Sequence, residues 1–77
     1  MEWRAFSTTL AEFVKVSDVK PSDVLFRNGL NIPSIVFTEF IMEIEEQTGM
    51  DIDLRTLDES IVTAGQLYER IFEKSAR

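Results

Sequence analysis

Neither cysteine nor histidine occurs anywhere in the 77 residues. Without cysteine there is no disulfide, no thiolate metal site and no thiol nucleophile. Without histidine the commonest general base and the imidazole metal ligand are missing as well. Glycine and proline are scarce, at three and two residues. Gly29 stands alone, so no glycine-rich loop can cradle a phosphate. No apolar run approaches the ~20 residues that span a bilayer. Met1-Glu2-Trp3-Arg4 lacks the basic start and apolar stretch of a secretory leader. Basic residues number 8 against 14 acidic ones, a net of −6, whereas nucleic-acid binding calls for clustered Lys and Arg. These absences lead us to expect a cytoplasmic, monomeric protein with no catalytic residues, no metal, no nucleic-acid partner and no membrane insertion.

What is present suits a small folded domain. The apolar share of 44% is ordinary for a globular chain and argues against disorder. Residues 1–77 have room for one core and are expected to form a single domain. A chain this short buries only roughly 60% of its unfolded surface.

The hydrophobic pattern is helical. Trp3, Phe6, Leu10, Phe13 and Val14 recur at steps of three and four, which predicts a first helix from about Trp3 to Val16. Its Ser7-Thr8-Thr9 run has low helix propensity, so packing must hold it. Ser17 to Pro33 reads as a loop of unusual length, a feature often tied to function. Val24, Leu25, Phe26, Leu30 and Ile32 are expected to tuck against the core, and Asn28-Gly29 marks a turn. A second helix is predicted from about Ser34 to Thr48, with Gly49 as its stop. Phe37, Phe40, Ile41, Ile44 and Thr48 share one face. Glu39, Glu43 and Glu46 take the opposite face, with Ile35 and Met42 beside them. Arg55 to Glu59 is expected to form a short helical turn. The last helix is predicted from Thr63, where Thr63 and Gln66 make a capping box. Leu67, Tyr68, Ile71 and Phe72 give its apolar stripe. Arg70, Lys74 and Arg77 place positive charge near its C-terminal end. No alternating run is long enough for a sheet. The expected fold is all-α: a small bundle of three main helices plus one short helix.

Few residues offer chemistry. The glutamates of the second helix read as solvated charge. Asp51, Asp53 and Asp58 do not meet the calcium-loop spacing with its bidentate Glu. Ser34 is the notable nucleophile. It lies where the loop enters a helix, and a helix N-terminus stabilises phosphate charge. The same position also suits an ordinary helix N-cap.

Gly29-Leu30-Asn31-Ile32-Pro33-Ser34-Ile35 resembles the modification site of acyl carrier proteins, Gly-Leu-x-Leu-Asp-Ser-Leu/Ile. The run from Glu39 to Glu46 is similar to that family's Glu-Leu-Val-Met-x-Leu-Glu-Glu. Val24 to Leu30 resembles its short-loop members, which read Leu-Phe-x-x-Gly-Leu. The resemblance implies an acyl-carrier-protein-like bundle with phosphopantetheine attached to Ser34, carrying acyl groups as thioesters for fatty-acid, polyketide or related synthesis. It also implies a docking face of Ile35, Val36, Glu39, Met42, Glu43 and Glu46. The partners would be a phosphopantetheinyl transferase and acyl-loading and acyl-processing enzymes with basic docking surfaces. Two departures stand out. Pro33 replaces the aspartate that helps the transferase hold its metal and coenzyme A, and Val36 replaces an often acidic residue. Trp3, Phe6, Phe13 and Phe26 are expected to form an aromatic core, where the resemblance implies that cargo can be sequestered. Other readings stay open: an unmodified carrier-like module docking through its acidic second helix, a peptidyl or D-alanyl carrier, or an unrelated acidic helical regulator.

Overall fold

The computed structural model describes residues 1–57 and 60–75, with side chains up to residue 72. Helix α1 spans Trp3–Val14, α2 spans Ser34–Thr48, a 3₁₀ turn covers Leu54–Thr56, and α3 spans Ala64–Ser75. The architecture is the all-α bundle that the periodicity predicts. An isolated antiparallel bridge joins Val24 to Thr63.

The core forms where the three apolar stripes meet. α1 packs on both α2 and α3, burying Phe6 and Leu10 with Phe40, Ile41 and Ile44 of α2 and Ala64, Leu67 and Ile71 of α3. Phe6 is the hub, edge-on to Phe40 and to Tyr68, each at 5.2 Å. Trp3 meets Tyr68 at 5.5 Å and Phe13 meets Phe40 at 5.8 Å. Such pairs contribute about 0.5–1.5 kcal/mol each beyond their buried area. The Tyr68 hydroxyl donates to the Met1 carbonyl at 2.6 Å. Ser7 and Thr9 are buried in α1, and their hydroxyls donate to the Arg4 and Ala5 carbonyls. Bonding back along the helix in this way leaves no polar group unmatched.

Helix ends differ from the periodic reading by a residue or two. α1 stops at Val14 rather than Val16 because Lys15 turns left-handed (φ 59°) and its N–H bonds to the Ala11 carbonyl. The Val16 N–H returns to that carbonyl too. The capping box is present: the Gln66 N–H donates to Thr63 Oγ1, and Gln66 Oε1 accepts from the Thr63 N–H. Thr63 is therefore the cap, and the helix begins at Ala64. The short helix covers Leu54–Thr56 instead of starting at Arg55, because the Asp53 carboxylate accepts the Arg55 N–H and caps the turn. The expectation for Asp58 and Glu59 lies outside the described residues, as do those for the Lys74 side chain and Arg77. Arg70 works as a tether, donating to the Thr56 carbonyl at 2.8 Å and to Ser60 Oγ at 3.0 Å.

The long loop is far from structureless. Val19, Leu25 and Ile32 are buried. The Leu25 N–H donates to the Val62 carbonyl, and the Ala64 and Gly65 N–H groups donate to the carbonyls of Asp23 and Pro21. Loop carbonyls thus satisfy N–H groups that α3 itself leaves open. Asn28 and Asn31 supply left-handed turns at φ 61° and 51°, a conformation Asn tolerates better than most residues. Gly29 is needed for a different reason: a Cβ there would lie 2.7 Å from the Val24 carbonyl carbon. One expectation fails. Phe26 is 37% exposed and stays out of the core, its place taken by Leu25.

Candidate functional site

The loop delivers its chain to α2 through Pro33. Pro33 is the N-cap, with extended backbone (φ −63°, ψ 149°), and its ring offers no acceptor to the helix. Its carbonyl takes the first intrahelical bond, from the Phe37 N–H at 2.9 Å. Ser34 is therefore the first helical residue and not the cap, which overturns the plain N-cap reading. Its side chain is exposed. Its carbonyl accepts a bond from Thr38 Oγ1 at 3.0 Å, which steadies the turn.

The consequence is electrostatic. The N–H groups of Ser34, Ile35 and Val36 precede the first intrahelical bond and have no carbonyl partner within the helix. No side chain caps them, and the first turn of α2 carries no acidic residue to offset the dipole. An exposed hydroxyl beside free, positively polarised donors fits a phosphate ester. No carboxylate stands immediately before the serine, since Pro33 holds that position.

The expected docking residues lie along one side of α2 and differ in exposure. Ile35 is 71% exposed and Met42 59%. Glu39 and Glu46 are exposed beside them. Val36 neighbours Glu43 around the helix axis and is half-buried, packing partly against the core. Glu43 sits at the edge, half-buried, with its carboxylate accepting from Gln47 Nε2 at 2.8 Å. Glu45 has a structural task, because its carboxylate accepts the Ile52 N–H at 2.7 Å and ties the end of α2 to the next segment. All the charged residues of α2 are glutamates: Glu39, Glu43, Glu45 and Glu46.

Sequence periodicity misses an aromatic pair beside Ser34. Phe26 meets Phe37 edge-on at 5.5 Å. The available signal was a phenylalanine three residues after Ser34, but nothing in the loop told which aromatic would join it. Of the rings expected to border a cargo space, Trp3 meets Phe6 at 5.7 Å, Phe13 meets Phe40 at 5.8 Å, and Phe26 lies apart against Phe37. A cavity of about 200 Å³ lies elsewhere, lined by Met50, Ile52, Leu57 and Ile71 with Arg70 and Asp53 at its polar side. Asp53 is bound by the Arg55 guanidinium at 3.0 Å. Among the described residues no group of acidic side chains is arranged to hold a metal.

A family model described as the phosphopantetheine attachment site matches residues 4–71 of the chain. Searches of curated proteins and of solved structures returned no match. Among the described residues no helix is long and apolar enough to cross a membrane. Domains of the matched family are sites of covalent phosphopantetheine attachment and are generally carriers, not catalysts. The match spans the loop, the Ser34 turn and all of α2, and the helical bundle agrees with it: this chain belongs to the phosphopantetheine attachment site family and is a phosphopantetheine carrier domain.

Proposed function

We propose that Ser34 is the attachment point and that the chain is an acyl carrier serving fatty-acid, polyketide or related synthesis. The observation that carries this reading is the exposed Ser34 hydroxyl at the first position of an uncapped helix. In the attachment step Ser34 Oγ forms a bond to a phosphorus of coenzyme A. The nucleotide portion leaves with the electrons of the broken P–O bond, and the hydroxyl proton passes to a base on the transferase. The uncapped N–H groups at the start of α2 would favour the charge of a phosphodiester on Ser34. When bound, the arm supplies the thiol that this cysteine-free chain lacks.

The rest of α2 serves recognition. Glu39 and Glu46, with Glu43 at the edge, draw partners whose docking surfaces are basic, while Ile35 and Met42 supply a small apolar anchor. Exposed charges of this kind speed encounter more than they raise affinity, which suits brief visits to several enzymes. The chain itself brings presentation and no catalytic group.

Incubation with coenzyme A and a permissive transferase tests the reading by intact mass. Wild type should gain one arm, and Ser34→Ala should gain none while keeping its fold. A wild-type chain left unmodified by several transferases would instead favour an unmodified interaction module docking through α2. Pro33, which removes the carboxylate beside the serine, is the observation on that side.

A further inference from the structure

Packing leaves part of the apolar surface around Ser34 uncovered. Ile35 follows it and is 71% exposed, and Phe26 reaches over from the loop at 37%. Phe37, three residues on, is half-buried under the Phe26 ring. At 100° per residue Ser34 falls between Phe37 and Ile35 around the axis of α2. Apolar surface therefore borders the hydroxyl on both sides. Phe26 is not a loose side chain. Its carbonyl accepts the N–H groups of Gly29 and Asn31 at 3.2 and 3.1 Å, and Gly29 is wedged against Val24. A fixed turn thus places the ring against Phe37 with about a third of the residue still in water, where further burial would be favourable. Polar handles are few at this turn, since Pro33 brings neither charge nor donor. The charge lies farther along, on the four glutamates of α2, which has no Lys or Arg to balance them.

We propose that Phe26 and Phe37, with Ile35 across the Ser34 turn, form an apolar footprint gripped by the enzyme that attaches the arm. That partner has a recess for the Phe26 ring and a basic rim opposite the α2 glutamates. The proposal rests on Ser34 being the attachment point. Charge draws the two surfaces together but orients them poorly. An aromatic edge seated in a recess sets the angle at which Ser34 Oγ meets coenzyme A. Phe26 acts as a positioning residue, because it touches the partner and not the reacting atoms.

The test follows arm attachment by intact mass, using one transferase that modifies the wild type. Phe26→Ser should lower kcat/KM about tenfold, chiefly through KM, the pattern for lost binding contacts. Phe26→Leu should recover most of the loss. The Phe26→Ser deficit should be the same at low and high salt, whereas the Glu39→Lys deficit should shrink as salt rises. Circular dichroism checks the fold. Where the serine variant unfolds, Phe26→Lys replaces it: its stem still covers Phe37 while its charge opposes a basic rim, so it too should be slow. A folded Phe26→Ser or Phe26→Lys modified at the wild-type rate overturns the footprint and leaves the carrier reading standing. Failure of every transferase on the wild type overturns the carrier reading, and the footprint with it.

Discussion

Replacing Pro33 by aspartate probes the Ser34 turn most directly. Pro33 is the N-cap of α2 and gives it no side-chain bond. An aspartate there can accept the N–H of Ile35 or Val36, worth about 1 kcal/mol over a residue that cannot cap. Its charge adds roughly 0.5 kcal/mol against the helix dipole. The loss of proline's rigidity removes about 0.4–1 kcal/mol, because φ at −63° is a value proline holds unaided. The balance is a gain of about 0.5–1 kcal/mol, which raises Tm by about 2–8 °C in a domain this small. The attached arm should interact with this change. In wild type the phosphodiester meets free N–H groups and should stabilise α2 by about 0.5–1 kcal/mol. In Pro33→Asp the carboxylate already holds those donors and repels the phosphodiester, so the arm should add nothing or destabilise slightly. Urea unfolding followed by circular dichroism, on both proteins with and without the arm, measures that coupling. Initial rates by intact mass measure attachment, which should be faster for Pro33→Asp. The reason is that aspartate adds a hard oxygen ligand where a transferase holds Mg²⁺. Equal stabilisation of both proteins by the arm would refute the competition for the α2 donors. Equal attachment rates would refute any reading of residue 33 by the transferase.

Other expectations follow from single contacts. Gly29→Ala should destabilise by about 1–3 kcal/mol, seen as a lower urea midpoint, because the new Cβ meets the Val24 backbone and not a flexible side-chain tip. A change under ~0.5 kcal/mol, the range of a neutral surface substitution, would mean that the loop opens freely there. Reversing Glu39 and Glu43 to Lys should slow partner association and weaken its salt dependence, with little effect on folding. Unchanged stopped-flow rates would remove the steering role. Glu45→Ala should cost about 1.5–3 kcal/mol by stripping the acceptor from the half-buried Ile52 N–H, while Glu46→Ala should fall within ~0.5 kcal/mol. Similar values for the two would show that the Glu45 bond does not hold in solution.

Much of the fold is legible along the chain because its signals are local. The stripes Phe6–Leu10, Phe40–Ile41–Ile44 and Leu67–Ile71 repeat with the helical turn, so each marks a buried face without knowledge of the other two. The Thr63–Gln66 box and the Gly49 stop are equally local, being bonds between residues a few positions apart. The Ser34 motif is legible for the same reason: loop, nucleophile and acidic helix are contiguous.

The sequence by itself determined three helices, their inward faces, a serine at the entry to α2 and the acidic outer face beyond it. Which of Leu25 and Phe26 enters the core was left to the tertiary structure, since a loop has no repeating geometry to assign sides. The same is true of Glu45, which looks like its neighbours until Ile52 is brought beside it. Val36 is drawn partly inward by core residues from other elements. The loop's apparent lack of structure has a parallel cause. Its backbone bonds run to the start of α3, from Pro21, Asp23 and Leu25 to Gly65, Ala64 and Val62, and contacts across some forty positions leave no periodic trace in either segment. Whether Ser34 caps α2 was also settled in three dimensions: an extended Pro33 takes the cap position and leaves the exposed Ser34 beside helix N–H groups that no side chain caps.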